Sequence, residues 1–360
     1  MATKEEVLKA LSQCQEPELH KDIVTLGMVQ NLTIEGGIVS FDYVLTTPAC
    51  PLKGLMEAEA KEAVKAVAGV RDVKINMVAN VKKDPRLGMI MPSGVKNIIA
   101  VGSGKGGVGK STVACNLATA LALEGAKTGL MDADIYGPNQ PQMLGIHDFV
   151  PKAGADNKID PPQAYGIKMM SMGFLMDPDA PVIWRGPMLH TAITQFLKDV
   201  NWGDLDYLVV DLPPGTGDVQ LSLCQSVPLA GAVIVTTPQT IAVSDVQRAT
   251  TMFQKLKVPI LGVVENMGTF ICPHCRRQSD IFSKGGAQSL ADKYQFPLLG
   301  SIPLDPLVCS SGETGRPICV DKPDSAPARA FRDVAKKVAA RISVEAAAIK
   351  PLEIKITAAT

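Results

Sequence analysis

Short apolar runs that lack polar alternation dominate the chain from residue 97 onward. They are NIIAV, TGLMDAD, IKMMSMG, YLVVDLP, GAVIVTT, PILGVVENM and PLLGSI. Runs of this kind are typical of strands covered on both faces, and helical segments separate most of them. The order predicts an α/β domain with a doubly wound, mainly parallel sheet. Ligands of such sheets bind at the carboxyl ends of the strands, so functional side chains are expected there.

The first 80 residues follow a different pattern, which predicts a small α/β (α+β) domain. Val7, Leu8 and Leu11 have helical spacing, and two β-rich runs flank a Gly-Gly turn as in a hairpin. The predicted elements are a helix over Lys4–Gln13, strands on either side of Glu35-Gly36-Gly37, a helix over Leu52–Val67 and a strand over Val73–Met77.

A turn-rich basic stretch, KKDPRLGMIMPSG, separates the two patterns and resembles a linker. We therefore expect an N-terminal domain over residues 1–81, a linker over 82–96, the sheet domain over 97–345 and a tail over 346–360. The chain from Glu345 is rich in Ala and is expected to be loosely held.

Composition narrows the class of protein. Lys+Arg and Asp+Glu both number 36, and this neutrality argues against a nucleic-acid partner bound through a broad basic surface. The N-terminus lacks a signal-peptide pattern and no run reaches about 18 apolar residues, so we expect a cytoplasmic protein without a membrane partner. Eight Cys in 360 residues are too sparse for a disulfide framework, which favours reduced thiols.

A phosphate-binding loop follows the first strand of the sheet domain. In GSGKGGVGKST, residues Gly104 to Ser111 satisfy G-x-x-x-x-G-K-[ST] between a strand and a helix-like stretch. Backbone N–H groups of such a loop, with the helix N-terminus, bind phosphates. We expect Lys110 to reach the outer phosphates of ATP and Ser111 to ligate Mg²⁺. The predicted nucleotide-binding residues here are Gly104, Lys105, Gly106, Gly107, Val108, Gly109, Lys110, Ser111 and Thr112.

Carboxylates stand at two further strand ends. The run YLVVDLP leads to Asp211, a Walker-B-type acid expected to hold magnesium through water. Asp132 and Asp134 end TGLMDAD, where a strand end can direct carboxylates at a bound nucleotide. Helix capping is the alternative role for either residue.

A C-x-x-C motif, ICPHCRR, places Cys272 and Cys275 two residues apart. Two thiolates can hold one metal or one cluster edge, whereas a tetrahedral zinc site or a four-iron cluster needs four ligands. Two chains related by a two-fold axis would supply all four. An intrachain zinc site using His274 with Cys309 or Cys319, a redox-active dithiol and an inert pair remain alternatives.

The phosphate loop holds a second lysine, Lys105. This G-K-G-G-x-G-K-[ST] form resembles the deviant loop of dimeric ATPases that include nitrogenase iron protein, septum-positioning and partition ATPases, and Mrp-type iron–sulfur cluster carriers. The resemblance implies a homodimer in which Lys105 reaches the partner's nucleotide, with Lys110 and Asp134 as its fellow catalytic residues. A solvated surface lysine is the alternative.

The same resemblance assigns roles to the strand-end residues. Asp132 would support the magnesium shell and Asp134 would orient the attacking water. Gly215, in the switch-like PPGTGD, would contact the γ-phosphate, and Asn266, in VVENM, would bind the adenine base. A turn residue after a strand is the alternative for Asn266.

Six motifs in order strengthen the resemblance: GSGKGGVGKST, DADIYGPNQP, VIWRGPM, DLPPGTGDVQL, TTPQTIAVSDV and ENMGTFICPHC. With GSIPLDP they closely resemble the Mrp-type (ApbC-like) iron–sulfur cluster carriers over about residues 1–340. The resemblance implies a slow ATPase, tied to dimer closure, that carries a 4Fe-4S cluster bridged by Cys272 and Cys275 of two subunits. Apoprotein clients and a cluster donor would be its partners. Asn139 stands where the family has Ser, and both are polar caps.

The N-terminal unit, with EPELHKDIVTLGMV and TTPACPLK, resembles the small iron–sulfur assembly domain fused to such carriers. Cys50 precedes a predicted helix, whose N-terminus is expected to lower the thiol pKa and favour cluster or client contact. A buried structural Cys is the alternative. Two other classes remain open for the whole chain: a spatial-organisation ATPase, and a zinc-bound, nucleotide-dependent scaffold.

Overall fold

The computed structural model describes residues 2–89, 94–152, 154, 158–175, 186–215, 217, 220–221, 224–225, 229–272, 274–275 and 277–348. Its strands are β1 Gln15–Glu16, β2 Lys21–Asp22, β3 Val29–Glu35, β4 Ile38–Leu45, β5 Asp72–Ala79, β6 Val95–Ser103, β7 Thr128–Asp132, β8 Gln163–Ala164, β9 Ile167–Ser171, β10 Leu205–Asp211, β11 Gly231–Thr236, β12 Ile260–Glu265, β13 Phe270–Ile271, β14 Gln278–Ser279 and β15 Leu298–Ser301.

The helices are α1 Lys4–Leu11, α2 Lys53–Lys65, α3 Lys110–Leu123, α4 Gln140–Met143, α5 Gly186–Asp199, α6 Thr240–Lys255, α7 Gly286–Tyr294, α8 Pro306–Glu313, α9 Ile318–Asp321 and α10 Ala326–Ala348, with 3₁₀ turns at Pro85–Met89 and Met172–Leu175. In the part of the chain that the structure describes, no helix combines the length and the apolar character needed to cross a membrane.

The large sheet has the strand order β15-β12-β11-β6-β10-β7-β9-β8. Its neighbouring strands are parallel, apart from β8, which runs antiparallel to β9. Each apolar run identified after residue 97 forms a strand of this sheet, which confirms the doubly wound, mainly parallel α/β fold. Strands β6, β10 and β7 are neighbours at the centre, so their carboxyl ends, and the residues that follow them, meet.

Both faces of the sheet are covered by apolar side chains, which explains why its strands lack polar alternation. Phe196, Trp202 and Phe253 pack on one face. On the other, Leu117 of α3 and Phe331 of α10 belong to a second buried cluster. Helices α3 and α10 therefore lie side by side on this face, α3 over β6, β10 and β7 and α10 over β12 and β15, and the first residue of α3 is held at the sheet's carboxyl edge.

The N-terminal unit contains a sheet of order β3-β4-β5, with helices α1 and α2 packed beside it. Strands β3 and β4 form the expected hairpin, whose turn residues Gly36 and Gly37 have positive φ angles of 57° and 83°. The predicted elements are all present, although both helices end earlier than expected and the strand expected over Val73–Met77 is longer, as β5. Thr3 and Glu6 form a capping box that fixes the start of α1.

The basic stretch expected to be a linker packs on the sheet domain. Leu87 is fully buried, and Arg86 pairs with Asp84 and donates to the Leu229 carbonyl oxygen at 2.9 Å. Strand β6 starts at Val95, inside the range expected for the linker, and residues 90–93 lie outside the described residues. The division into domains stays a prediction.

The expectation of a loosely held chain from Glu345 is wrong as far as Ala348, because α10 continues to that residue. Alanine has the highest helix propensity, and the Ala-rich segment extends the helix rather than ending it. Residues 349–360 of the expected tail lie outside the described residues.

Candidate functional site

The phosphate loop connects β6 to α3 and needs glycine for two separate reasons. Gly107 and Gly109 have φ angles of 77° and 78°, which L side chains rarely adopt. A Cβ at Gly104 would lie 2.3 Å from the backbone of Asp245, and one at Gly109 would lie 2.1 Å from Nδ2 of Asn266. The loop therefore keeps its curvature and its packing only with these glycines.

The loop borders a pocket of about 370 Å³. Lining residues expected from the sequence are Lys105, Gly106, Gly107, Gly109, Lys110, Ser111, Thr112 and Asp134. Tyr136, Asn139 and Pro214 also line it. Val108, by contrast, is buried beneath the loop, so this predicted nucleotide-binding residue contributes its backbone and not its side chain to the loop.

Three carboxylates converge near Lys110 because of strand register. Asp211 and Asp132 are partners on neighbouring strands β10 and β7, and Asp134 follows β7 by two residues. Lys110 Nζ lies 2.5 Å from Asp211 Oδ1, 3.3 Å from Asp134 Oδ2 and 3.2 Å from Ser111 Oγ. The predicted P-loop lysine, serine and acids thus form one connected cluster.

Asp132 is fully buried and is held by groups of the protein itself. Its Oδ1 accepts from the Asp134 N–H at 3.1 Å, and its Oδ2 accepts from Ser171 Oγ at 2.9 Å and from the Gln140 N–H at 3.3 Å. Burial, together with the charge of Asp211, raises the pKa of Asp132 to about 8. Burial also raises the pKa of Asp134, against the opposing effect of Lys110.

Gln140 and Ser171 complete this cluster, and sequence reasoning missed both. Gln140 Nε2 donates to Asp211 Oδ2 at 2.8 Å and to the Ser111 carbonyl oxygen at 2.9 Å. The available signal was the position of Gln140 within DADIYGPNQP, next to Asn139. The expectation that Asn139 is a polar cap is wrong for its side chain, which makes no capping hydrogen bond to α4.

The residues present fit a magnesium nucleotide. Magnesium prefers oxygen ligands, and the Ser111 hydroxyl and the Asp211 carboxylate oxygens lie within one hydrogen-bonded cluster. The N-terminus of α3, which begins at Lys110, contributes unpaired N–H groups and a partial positive charge beside the pocket. This chemistry suits the phosphates of a bound nucleotide.

Two further predicted residues, Lys105 and Gly215, have distinct surroundings. Lys105 is half-buried, lines the pocket and forms no ion pair with the residues that the structure describes. The Gly215 N–H donates to the Ser103 carbonyl oxygen at 3.0 Å, with a φ of 92°. Of the switch-like segment around it, Thr216, Asp218 and Val219 lie outside the described residues.

Asn266 is buried behind the phosphate loop. Its Nδ2 donates to the Val108 carbonyl oxygen at 2.9 Å, and its N–H donates to the Thr236 carbonyl oxygen. This contact supports the loop, and Asn266 does not line the pocket of the loop. The predicted role in adenine binding stays a prediction.

The C-x-x-C motif forms the end of a small hairpin. Strands β13 and β14 pair, and the Cys272 N–H donates to the Arg277 carbonyl oxygen at 3.0 Å. Cys272 Sγ accepts hydrogen bonds from the backbone N–H groups of Cys275 and His274. These bonds hold the pKa of the Cys272 thiol below its usual value, and the bond from Cys275 has the larger effect. Cys275 is exposed. The hairpin follows β12, so it begins from the same sheet edge as the nucleotide pocket.

The surroundings of the other cysteines bear on the intrachain zinc alternative. Cys319 is fully buried, and its thiol contacts the carbonyl oxygens of Asn116 and Ala328 at 3.9 Å. Cys309 is exposed and contacts Glu313. Among the described residues, no three His, Cys, Asp or Glu side chains are grouped to hold a metal ion. Pro273 and Arg276 lie outside them.

The predicted lowering of the Cys50 pKa is wrong. Burial raises the pKa of this half-buried thiol, and the backbone N–H groups of Leu52 and Lys53 lower it less. Its Sγ contacts Met56 Sδ at 3.9 Å. The helix begins at Lys53, but its N-terminal effect is outweighed by desolvation.

The fold, the phosphate loop and the acids at the strand ends together define a P-loop NTPase. Residues 94–339 match the family described as NUBPL iron-transfer P-loop NTPase, and residues 4–77 match the iron-sulfur cluster assembly protein family. The chain belongs to this iron-transfer NTPase family and, within it, groups with the iron–sulfur cluster carrier proteins.

Three proteins illustrate what this chain is similar to in sequence and in fold. An iron-sulfur cluster carrier protein from Synechocystis is 51% identical over 96% of this chain and 99% of its own length. A nucleotide-binding protein from Archaeoglobus fulgidus, solved with ADP, is 39% identical, with a TM-score of 0.57 over 64% of this chain and 90% of that one. The cell division ATPase MinD from Pyrococcus furiosus is 26% identical, with a TM-score of 0.52 over 67% of this chain and 98% of that one.

Proposed function

We propose that the protein is an ATP-hydrolysing carrier that binds a 4Fe-4S cluster between two subunits and transfers it to apoproteins. The observation that carries the proposal is the hairpin pair Cys272 and Cys275. One thiol is favoured as thiolate by neighbouring N–H groups, and the other is exposed beside it. Thiolates are the form in which cysteine binds iron.

Two subunits follow from the ligand count. A four-iron cluster takes four thiolates, and within the described residues the pair has no third ligand grouped with it. A two-fold axis passing near the hairpin would bring a second pair to the same cluster. In the same homodimer Lys105, which forms no ion pair among the described residues, would reach the nucleotide of the partner subunit.

ATP hydrolysis would use the cluster of residues around the pocket. Lys110 and Lys105 would stabilise charge on the phosphates, and Asp134 would orient the attacking water. Ser111 and Asp211, supported by Asp132, would hold Mg²⁺, which neutralises phosphate charge when bound, and Gly215 would contact the γ-phosphate. We expect slow turnover, coupled to cluster transfer through the sheet edge that the pocket and the hairpin share.

The partners follow from the carrier role. Relatives of this chain are named for cluster carriage, which favours apoprotein clients and a cluster donor as partners of this chain too. A cytoplasmic location, without membrane or nucleic-acid partners, stays part of the proposal. The Pyrococcus cell division ATPase shares the fold at lower identity.

Anaerobic reconstitution with iron and sulfide tests the proposal. The parent protein should bind four iron and four sulfide per dimer with visible absorption, and Cys272→Ser with Cys275→Ser should lose both. Cys309→Ser is the matched control, because Cys309 is also exposed but lies on α8 beside Glu313. Unchanged iron in the double variant, or stoichiometric zinc without sulfide in protein purified without oxygen, would exclude the bridging cluster.

A further inference from the structure

Gln140 contacts both acids expected at the magnesium site, Asp211 and Asp132, and the backbone of Ser111. It is fully buried at the start of α4. Its Nε2 donates to Asp211 Oδ2 at 2.8 Å and to the Ser111 carbonyl oxygen at 2.9 Å, and its backbone N–H donates to Asp132 Oδ2 at 3.3 Å. One residue, through its side chain and its backbone N–H, therefore links both acids to the phosphate loop.

These bonds fix the orientation of the Asp211 carboxylate. Its Oδ1 is held by Lys110 Nζ, and its Oδ2 is held by Gln140. Since Nε2 also donates to the Ser111 carbonyl oxygen, Asp211 could rotate away from the loop only by breaking its bond to an amide nitrogen that is held on α3. Gln140 thus sets the separation between the end of β10 and the first turn of α3.

The other end of the same amide is unsatisfied. Gln140 Oε1 is buried and accepts no hydrogen bond from the residues that the structure describes. Buried amide oxygens nearly always accept a hydrogen bond, so we expect a donor for Gln140 Oε1. Mg²⁺ retains several waters when it binds proteins, and a metal-bound water is a hydrogen-bond donor. An acceptor adjacent to the acids matches such a water.

We propose that Gln140 is a positioning residue for magnesium, resting on the ATPase function proposed above. Nε2 orients Asp211 against Ser111, and Oε1 accepts a hydrogen bond from a magnesium-bound water. A glutamate of the same shape would lack the donor and would repel Asp211, and an apolar side chain would lack both groups. The amide is therefore the chemistry that this position requires.

Binding of ADP, measured by calorimetry with Mg²⁺ and again with EDTA, tests the assignment without relying on turnover. Gln140→Met keeps the length of an unbranched side chain and removes both polar groups. We expect the Mg²⁺-dependent gain in ADP affinity to fall about tenfold, the effect of losing one hydrogen bond to a charged group, while the affinity in EDTA changes less than twofold. Gln142→Met is the matched control, because Gln142 is exposed on the same helix.

Three outcomes would overturn the assignment. An unchanged Mg²⁺-dependent gain in Gln140→Met would remove the link to magnesium. An equal loss of affinity with Mg²⁺ and with EDTA would indicate a structural role alone. If Gln140→Met does not fold, Gln140→Glu provides the same comparison at constant shape, and a gain equal to that of the parent would contradict the proposal.

The Mg²⁺ concentration that gives half-maximal ATP hydrolysis provides a second measurement, and it should rise in Gln140→Met and stay unchanged in Gln142→Met. A parent protein that binds ADP equally with Mg²⁺ and with EDTA, and does not hydrolyse ATP, would overturn the proposed ATPase together with this role. Loss confined to the Gln140 variants leaves the ATPase intact, so the two failures are distinguishable.

Discussion

The hydroxyl of Tyr207 donates a 3.0 Å hydrogen bond to the hydroxyl of Thr47, and both side chains are buried. Tyr207 lies near the start of β10, whose far end carries Asp211. Thr47 belongs to the TTPAC segment that leads to Cys50, and its Oγ1 also accepts from the Ala49 N–H. The bond thus attaches the Cys50 segment to the edge of the sheet opposite the nucleotide pocket.

This contact should contribute measurably to stability. Tyr207→Phe removes this bond and leaves the Thr47 hydroxyl with the Ala49 N–H, and we expect the free energy of unfolding to fall by about 1 kcal/mol. Thr47→Val should cost more, about 1–3 kcal/mol, because it leaves the Tyr207 hydroxyl and the Ala49 N–H without this acceptor. The double variant should cost less than the sum of the two, because the bond between the two hydroxyls is then lost only once and no Tyr207 hydroxyl remains unpaired. Urea unfolding of the four proteins measures the coupling, and strict additivity would show that the hydroxyls do not interact.

The buried carboxyl of Asp132 should make stability depend on pH. Its pKa in the folded protein is raised to about 8, above the unfolded value near 4, so the folded protein retains a proton that the unfolded chain has lost. The stabilisation that the Asp132 carboxyl contributes should therefore be complete below pH 4 and should be lost as the pH rises from 4 to 8.

Asp132→Asn should remove that decrease. The free energy of unfolding of the parent minus that of the variant should fall by up to about 1 kcal/mol per pH unit between pH 5 and 8, measured by urea unfolding. Asp148→Asn, at an exposed position, is the control and should leave the slope unchanged. A difference that is constant over this range would show that Asp132 is ionised throughout.

Cysteine reactivity should separate the hairpin from the rest of the surface. N–H groups of Cys275 and His274 hold the pKa of Cys272 below its usual value, whereas the charge of Glu313 raises the pKa of Cys309. Since the thiolate is the nucleophile, Cys272 should alkylate faster than Cys309 at pH 7 in the cluster-free protein. Mass spectrometry of peptides after timed iodoacetamide treatment measures both rates, and Glu313→Gln should speed Cys309 alone. Equal rates in the parent would contradict this thiolate stabilisation.

The sequence predicts the features that neighbouring residues determine, and it fails for those that depend on contacts between distant segments. The strands after residue 97 follow from apolar runs, and the phosphate loop follows from its glycines and lysines. Gln140 was missed because its contacts join it to Ser111 and Asp211, which are far away in the sequence and are brought close by strand order. Cys50 was misjudged because its pKa is set by burial, which depends on tertiary packing rather than on the adjacent helix.

Substitution of Lys110 and substitution of Lys105, the two lysines of the phosphate loop, should have different effects. Lys110 is buried between Asp211 and Asp134, whereas Lys105 is half-buried and forms no ion pair with the described residues. Lys110→Met leaves two buried carboxylates without their cationic partner, and we expect a loss of about 3 kcal/mol in stability as well as weaker nucleotide binding.

Lys105→Met should leave the melting temperature unchanged, because no described contact is lost. If Lys105 acts on the nucleotide of the partner subunit, this variant should still bind ADP but hydrolyse ATP at least tenfold more slowly. Mixing it with Asp134→Asn protein should then restore part of the turnover, since one of the two sites of a mixed dimer would have an intact Asp134 and the Lys105 of the other subunit. Full turnover by Lys105→Met alone would instead identify a solvated surface lysine. No recovery on mixing would indicate that Lys105 acts within its own subunit.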